Sequence, residues 1–257
     1  MEISIDDTKK VNQFITIFRN LKNQVEEVNI NFKKEQMYLQ GMDQNHISLF
    51  ELILQKSWFS SYNVKNDLIL GLNCSILFLV FNCIEEDQKL NLLVDDNGDK
   101  LQISFTCEND EIFDKFYEIP LMDINNELLA IPDVEWPMDL TINTQSFSKI
   151  IDQLSIFGID IKFVCEETQI ELFSKGDNGK MSVKLDLDNV EEYGIEEGTV
   201  LNIIYPLVYV KWICQFMKLS EMVDIHCSEN MPMKVFYKLE GDDNYLQFFL
   251  APKIWED

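Results

Sequence analysis

The sequence has 257 residues, 46% of them apolar and 18 of them Phe, enough material for the core of one large domain or two ordinary ones. Nine Gly and six Pro are too few for a low-complexity or disordered chain. A formal net charge of -24, from 45 acidic against 21 basic residues, predicts an acidic surface that repels phosphate at long range and, taken alone, argues against nucleic-acid binding.

The acidic start Asp6-Asp7-Thr8 suits a helix N-terminus. Val11, Phe14, Ile15, Phe18 and Leu21 then fall at i, i+3, i+4, i+7 and i+10, one apolar face of a helix. Alternation and apolar runs predict short strands at 25–32, 36–42, 46–53 and 57–62. A second helix, over 72–84, is apolar nearly all round. Strands at 88–95 and 99–105 are expected to be turned by Asp96-Asn97-Gly98, since Asn-Gly favours a hairpin, and a further strand covers 111–118.

Next comes an unusual stretch, 120–137. Pro120, Pro132 and Pro137 forbid a continuous helix and remove backbone donors that a central strand needs. Yet Leu121, Met122, Ile124, Leu128, Leu129, Ile131 and Val134 make it too apolar for an ordinary linker. It reads as a domain connector that doubles as a docking surface.

Beyond it the order recurs. A strand at 138–143 precedes a helix in which Phe147, Ile150, Ile151, Leu154 and Phe157 repeat the spacing of the first helix. Strands follow at 158–164, 167–174 and 179–187, the last two turned by Asp177-Asn178-Gly179. A fourth helix, 206–218, carries Leu207, Val208, Val210, Trp212, Ile213 and Phe216, and strands at 222–227, 232–238 and 244–250 close the chain. Recurrence of element order implies an internal duplication. The expected fold is α+β, two topologically similar domains (1–119 and 138–257) joined by the connector 120–137, with antiparallel sheets covering helices.

Several chemistries are excluded by their missing residues. The six Cys (74, 83, 107, 165, 214 and 227) contain no C-x-x-C pair, so neither a zinc site nor a disulfide framework is expected, and a reducing compartment is. Asp95-Asp96-Asn97-Gly98-Asp99 is not a calcium loop, because its glycine is fourth rather than sixth and the twelfth position is Thr106. With only His46 and His226, and no G-x-S-x-G or phosphate-cradling glycine loop, no nucleophile–base pair or nucleotide site is expected, and no catalysis, cofactor or metal. The acidic N-terminus lacks a signal-peptide apolar segment, and the run from Cys74 to Ile84 is too short to cross a bilayer, so an intracellular protein without membrane contact is expected.

Five pieces, in order and spread over the chain, carry a resemblance. They are Leu39-Gln40-Gly41-Met42-Asp43-Gln44-Asn45-His46-Ile47; Asp96-Asn97-Gly98-Asp99; Leu121-Met122-Asp123 with Leu129-Ala130-Ile131-Pro132; Phe147-Ser148-Lys149; and Phe248-Phe249-Leu250-Ala251-Pro252-Lys253-Ile254. Together they resemble the eukaryotic-type sliding DNA clamps of the proliferating cell nuclear antigen family. The resemblance implies three chains closing a ring, with helices lining a hole around duplex DNA. It implies a partner site under the connector for a peptide with a glutamine and two aromatic anchors, carried by DNA polymerases and other replication and repair proteins. It also implies an ATP-driven clamp loader; the expected location is the nucleus or, because the chain departs from the family pattern, a viral replication compartment.

On that basis the DNA-facing residues are Lys9, Lys10, Arg19, Lys22, Lys115, Lys149, Lys211 and Lys218. Such a wall touches phosphates without reading bases. Leu79, Asn82 and Asp152 depart from the family's basic pattern on the helices. The expected peptide pocket comprises Met42, His46, Ile47, Leu49, Leu129, Ile131, Pro132, Pro232, Phe249, Ala251, Pro252 and Ile254, an apolar cleft beside free strand backbone. Trp255 has no counterpart in the family pattern. Subunit pairing maps to the segments 111–118 (Ile112, Phe113, Lys115, Tyr117) and 180–185 (Lys180, Met181, Val183, Lys184), the first rich in acids and the second bearing two lysines and no acid. The alternatives are a clamp-fold subunit of a heteromeric ring, a monomeric clamp-like scaffold or transcription factor, and an acidic α+β enzyme.

Overall fold

A computed structural model describes residues 1–95, 98–109, 111–125, 127–132 and 134–253. The chain divides into two units of antiparallel sheet with paired helices. The first comprises Met1–Gln44, Glu51–Leu129 and Leu239–Tyr245, and the second Asn45–Phe50, Ala130–Lys238 and Leu246–Asp257.

In the first unit, β1 (Glu2–Ile5) leads into helix α1 (Thr8–Leu21). The Asp7 side chain accepts from Lys10 N at 2.9 Å and so caps one of the helix's orphan donors. After α1 come β2 (Glu27–Phe32), β3 (Gln36–Met42), β4 (Ser48–Gln55), β5 (Ser61–Asn63) and β6 (Leu68–Asn73). Helix α2 (Cys74–Phe81) follows, capped by Asn73, then β7 (Lys89–Leu93), β8 (Lys100–Thr106) and β9 (Lys115–Pro120). One sheet has the order β5-β1-β7-β8-β9, and β6-β2-β3 lie side by side with β4 next to β3. The two helices pack on each other through rings: Phe14 and Phe18 lie 6.0 and 5.7 Å from Phe81, which reaches Phe105 of β8 at 6.4 Å. Leu101, Ile103 and Phe105 alternate inward along β8, which roots that sheet under the helices.

The second unit repeats this plan. It has β10 (Met138–Asn143), helix α3 (Thr144–Leu154), β11 (Asp160–Glu166), β12 (Gln169–Gly176), β13 (Gly179–Leu185), β14 (Glu192–Ile195) and β15 (Leu201–Pro206). Helix α4 (Leu207–Cys214), β16 (Met222–Ser228), β17 (Met231–Lys238) and β18 (Tyr245–Leu250) complete it. The sheet orders are β13-β12-β11-β15 and β14-β10-β16-β17-β18. Phe147, Ile151 and Leu154 of α3 are buried with Phe163, Leu172 and Tyr205 of the sheet.

Differences from the sequence reading are local. The expected strand 57–62 is a 3-10 turn at Lys56–Trp58 followed by the three-residue β5. Strand β9 begins only at Lys115, because Asn109 and Asp114 fold the preceding residues into turns: Ile112 N bonds Asn109 O, and Cys107 N bonds the Asp114 carboxylate. β1, β6, β14 and β15 were not anticipated. Only Leu72 and Asn73 of β6 fall within the expected second helix, 72–84, and Leu70 and Leu72 are buried while Ile69 is exposed, the period-two signature of a strand. Helices α2 and α4 are shorter than expected. Gly176 and Gly179 close the β12–β13 hairpin as partners, so Asp177-Asn178 are its central residues. The expected turn residues Asp96 and Asn97, together with Ile254 and Trp255, lie outside the described residues.

Candidate functional site: connector, cationic helices and sheet edges

Within the first unit the connector is held by a series of hydrogen bonds, beginning with Leu121 N donating to Asp99 O at 3.0 Å. Met122 N donates to Gly71 O at 2.9 Å, forming an isolated antiparallel bridge with β6. A Cβ at Gly71 would fall inside contact distance of the Met122 carbonyl oxygen and lie 3.1 Å from Ile124 Cδ1, so only glycine lets the connector approach this closely. Asn29 Nδ2 of β2 donates to Ile124 O at 2.8 Å. Buried Gln40 of β3 grips both backbone groups of Leu129: its Oε1 accepts from Leu129 N at 2.7 Å and its Nε2 donates to Leu129 O at 2.9 Å. The side chains of Leu128 and Leu129 remain 50% and 47% exposed. Met42 is half-buried at the end of β3.

In the second unit, His46 sits in the left-handed region with φ 57° and is exposed, while Ile47 and Leu49 are half-buried. Ala251 N donates to Ile47 O at 2.9 Å, which joins the start of the C-terminal tail to this segment. Lys253 N donates to Ile204 O at 2.8 Å, and its Nζ pairs with Asp160 at 2.6 Å. Phe249, Ala251 and Pro252 are half-buried, as is Ile131 of the connector, while Pro132 and Pro232 are exposed. Just beyond, Trp136 packs on His226 and Lys234, and the His226 ring pairs with Asp139.

Most of the expected DNA-facing cations already have partners. Lys9 pairs with Glu240 at 3.3 Å. Lys10 Nζ donates to Trp58 O at 3.0 Å. Arg19 is tucked against Phe81 O, and desolvation lowers its pKa below the ordinary value. Lys22 lies over the Phe78 ring, 3.0 Å from its centroid. Lys115 is on β9 rather than a helix, and it bonds Cys83 O and pairs with Glu85. In the second unit Lys211 pairs with Asp152 at 3.6 Å and bonds Ser155 at 3.1 Å. Lys149 and Lys218 are exposed and form no ion pair among the described residues. On α2, Leu79, one of the departures from the family's basic pattern, is 60% exposed, with Ile76 exposed beside it.

β9 and β13 are both edge strands. Phe113 is 81% exposed and Phe116, which the sequence reading did not single out, is 74% exposed. Tyr117 instead stacks on Phe105 at 5.6 Å. Ile112 is half-buried ahead of β9. Along β13, Met181 and Val183 are half-buried while Lys180 and Lys184 point to solvent. Among the described residues no cluster of His, Cys, Asp or Glu is placed to hold a metal ion, and no helix is long and apolar enough to cross a membrane.

Sequence reasoning missed Asn29, Gln40 as a connector anchor, Gly71, and the Tyr38–Glu51 pair behind Gln40. Only Gln40 left a trace, its place in the piece Leu39–Ile47 that carries the family resemblance.

The family model described as "Proliferating cell nuclear antigen, N-terminal domain" matches residues 8–128, and the one described as "Proliferating cell nuclear antigen, C-terminal domain" matches residues 130–254. A curated relative from Chaetomium thermophilum named "Proliferating cell nuclear antigen" is 30% identical over 243 residues, covering 92% of this chain and 93% of the relative. A relative of the same name from Dictyostelium discoideum is 30% identical over 246 residues, covering 93% and 94%.

Proposed function

This chain belongs to the proliferating cell nuclear antigen family, non-enzymatic sliding-clamp scaffolds of DNA replication and repair, and from that premise we propose that it works as a homotrimeric ring around duplex DNA. The ring would hold a DNA polymerase on its template and dock replication and repair proteins by a peptide with a glutamine and two aromatic anchors. An ATP-driven loader would open it, and it would act in the nucleus. Its working parts are the domains 1–119 and 138–257 with the connector 120–137 between them.

The observation that carries this reading is the pair of family matches, which together run from residue 8 to residue 254. The geometry supports its details. Among the edge strands are β9 in the first unit and β13 in the second; acids dominate around one and lysines project from the other, and a head-to-tail contact of two different edges closes into a ring. Screened ion pairs add little, so Phe113 and Phe116 would supply most of the affinity. Anchored connector backbone with exposed Leu128 and Leu129 offers apolar surface to a peptide. A ring needs only weak phosphate contacts, because enclosure keeps it on DNA; Lys149 and Lys218 are the cations best placed to give them.

The exposed apolar face of α2 favours a second reading, a subunit of a heteromeric ring whose other members supply the basic wall. Light scattering over a dilution series at physiological salt separates the two. A mass three times that of the chain, persisting on dilution, together with stimulation of a polymerase on primed circular DNA by loaded clamp, is the expected result. A monomer at all concentrations would refute the homotrimer.

A further inference from the structure

The Gln40 grip on Leu129 is part of a longer, partly buried chain of hydrogen bonds inside the first unit. Gln40 Nε2 spends one proton on Leu129 O at 2.9 Å and directs the other to Tyr38 OH at 3.0 Å. The Tyr38 hydroxyl donates in turn to Glu51 Oε1 at 2.9 Å, and Tyr245 OH donates to Glu51 Oε2 at 3.2 Å. Gln40 and Glu51 are both buried. An amide N–H can only donate, so the Tyr38 oxygen accepts from Gln40 and its single proton is left to donate to Glu51. Desolvation, with the bond to Glu51 adding to it, raises both tyrosines' pKa above the ordinary phenol range, which keeps them as donors. Every donor along the limb Glu51–Tyr38–Gln40–Leu129 therefore faces an acceptor, and bonds in such a series polarise and strengthen one another.

A glutamine that merely filled space would gain nothing from gripping both backbone groups of one connector residue. This grip fixes the Leu129 peptide in position and direction while leaving the Leu128 and Leu129 side chains at the surface. We propose that Gln40, braced through Tyr38 by Glu51, is the positioning residue that presents Leu128 and Leu129 of the connector to partner peptides. The inference rests on the peptide-docking reading above and extends it to residues that do not touch the peptide.

Two readouts on the full chain test it: amide hydrogen exchange at Leu129, and calorimetric titration with a synthetic peptide carrying one glutamine and two aromatic anchors. Gln40→Met keeps the volume and removes the grip; Tyr38→Phe removes only the brace and serves as a second probe. In Gln40→Met, Leu129 exchange should rise roughly tenfold or more and peptide affinity should fall roughly threefold to tenfold, with smaller changes of the same sign in Tyr38→Phe. Tyr245→Phe cuts the bond to the other carboxylate oxygen and should leave both readouts at wild-type values. Unchanged Leu129 exchange and affinity in Gln40→Met would overturn the proposal. Losses in Tyr245→Phe equal to those in Tyr38→Phe would overturn it too, since they would reduce the set to general stabilisation. A wild-type chain that binds no such peptide, while Gln40→Met still frees Leu129, would sink the docking reading and leave the grip on the connector standing.

Discussion

Gly71→Ala sets two elements against each other. The added methyl collides with the backbone carbonyl of Met122, and backbone cannot rotate away as a side chain can. Either β6 bends or the connector lifts. β6 pairs with β2 at six positions from Glu27↔Asn73 to Phe32↔Leu68, so bending it would weaken several ladder bonds of about 0.5–1.5 kcal/mol each. Lifting the connector costs the single Met122 N–H bond to Gly71 O, about 1 kcal/mol. Alanine is preferred to glycine within a strand by about 0.5–1 kcal/mol, which offsets most of that loss. The connector should therefore yield, and global stability should change by less than about 1 kcal/mol, a melting shift of no more than about 4 °C. Hydrogen exchange should speed up at Met122 by roughly tenfold while β6 amides stay protected. A lowered melting temperature with unchanged exchange at Met122 would show that the strand gave way instead, and the reasoning would fail.

Other outcomes follow from the exposed faces and buried thiols. Phe113→Ala, just ahead of β9, and Phe116→Ala, on it, should each weaken self-association by roughly tenfold or more, read as a shift of the dilution midpoint in light scattering; no shift would remove this segment from the interface. Lys149→Ala and Lys218→Ala should each lower the salt slope of DNA binding by about one, whereas Lys9→Ala, whose cation is shared with Glu240, should change it less. Equal slopes for all three would refute that assignment. Exposed Cys83 and half-buried Cys107 should react with iodoacetamide in the native chain, while buried Cys74, Cys165, Cys214 and Cys227 react only after unfolding, as counted by mass spectrometry. Burial pushes Cys74, Cys165 and Cys214 up to about 12. The folded state thus favours the neutral thiol, and its contribution to stability is complete below the unfolded thiol pKa of about 8.5. It is lost as pH rises from there through about 12, so replacing these cysteines by Ala should flatten the alkaline limb of the stability curve.

Much of the fold was legible because its signals are local. The Val11–Leu21 and Phe147–Leu154 spacings define α1 and α3, alternation defines β3, β8 and β10, and the recurrence of element order reveals the duplication. The resemblance to a clamp family rested on short motifs scattered along the chain, and the family matches show that membership. Local signals failed where a short strand runs straight into an apolar helix, as β6 does into α2, and where turns consume residues that read as strand, as before β9.

What the sequence could not determine is which side chains meet across long separations. Gln40 and Leu129 are 89 residues apart, and nothing in either neighbourhood marks them as partners. The pairing of Lys9 with Glu240 spans 231 residues and alters which cations are available to phosphate, a matter no helical wheel can settle. Periodicity is a property of neighbouring residues, so spacing determined most of the elements and their order, while the family was carried by short motifs whose likeness the family matches show. Strand pairing is chosen by the whole sheet, and only that choice decided how the connector is held, which lysines are already neutralised and which edges stand open.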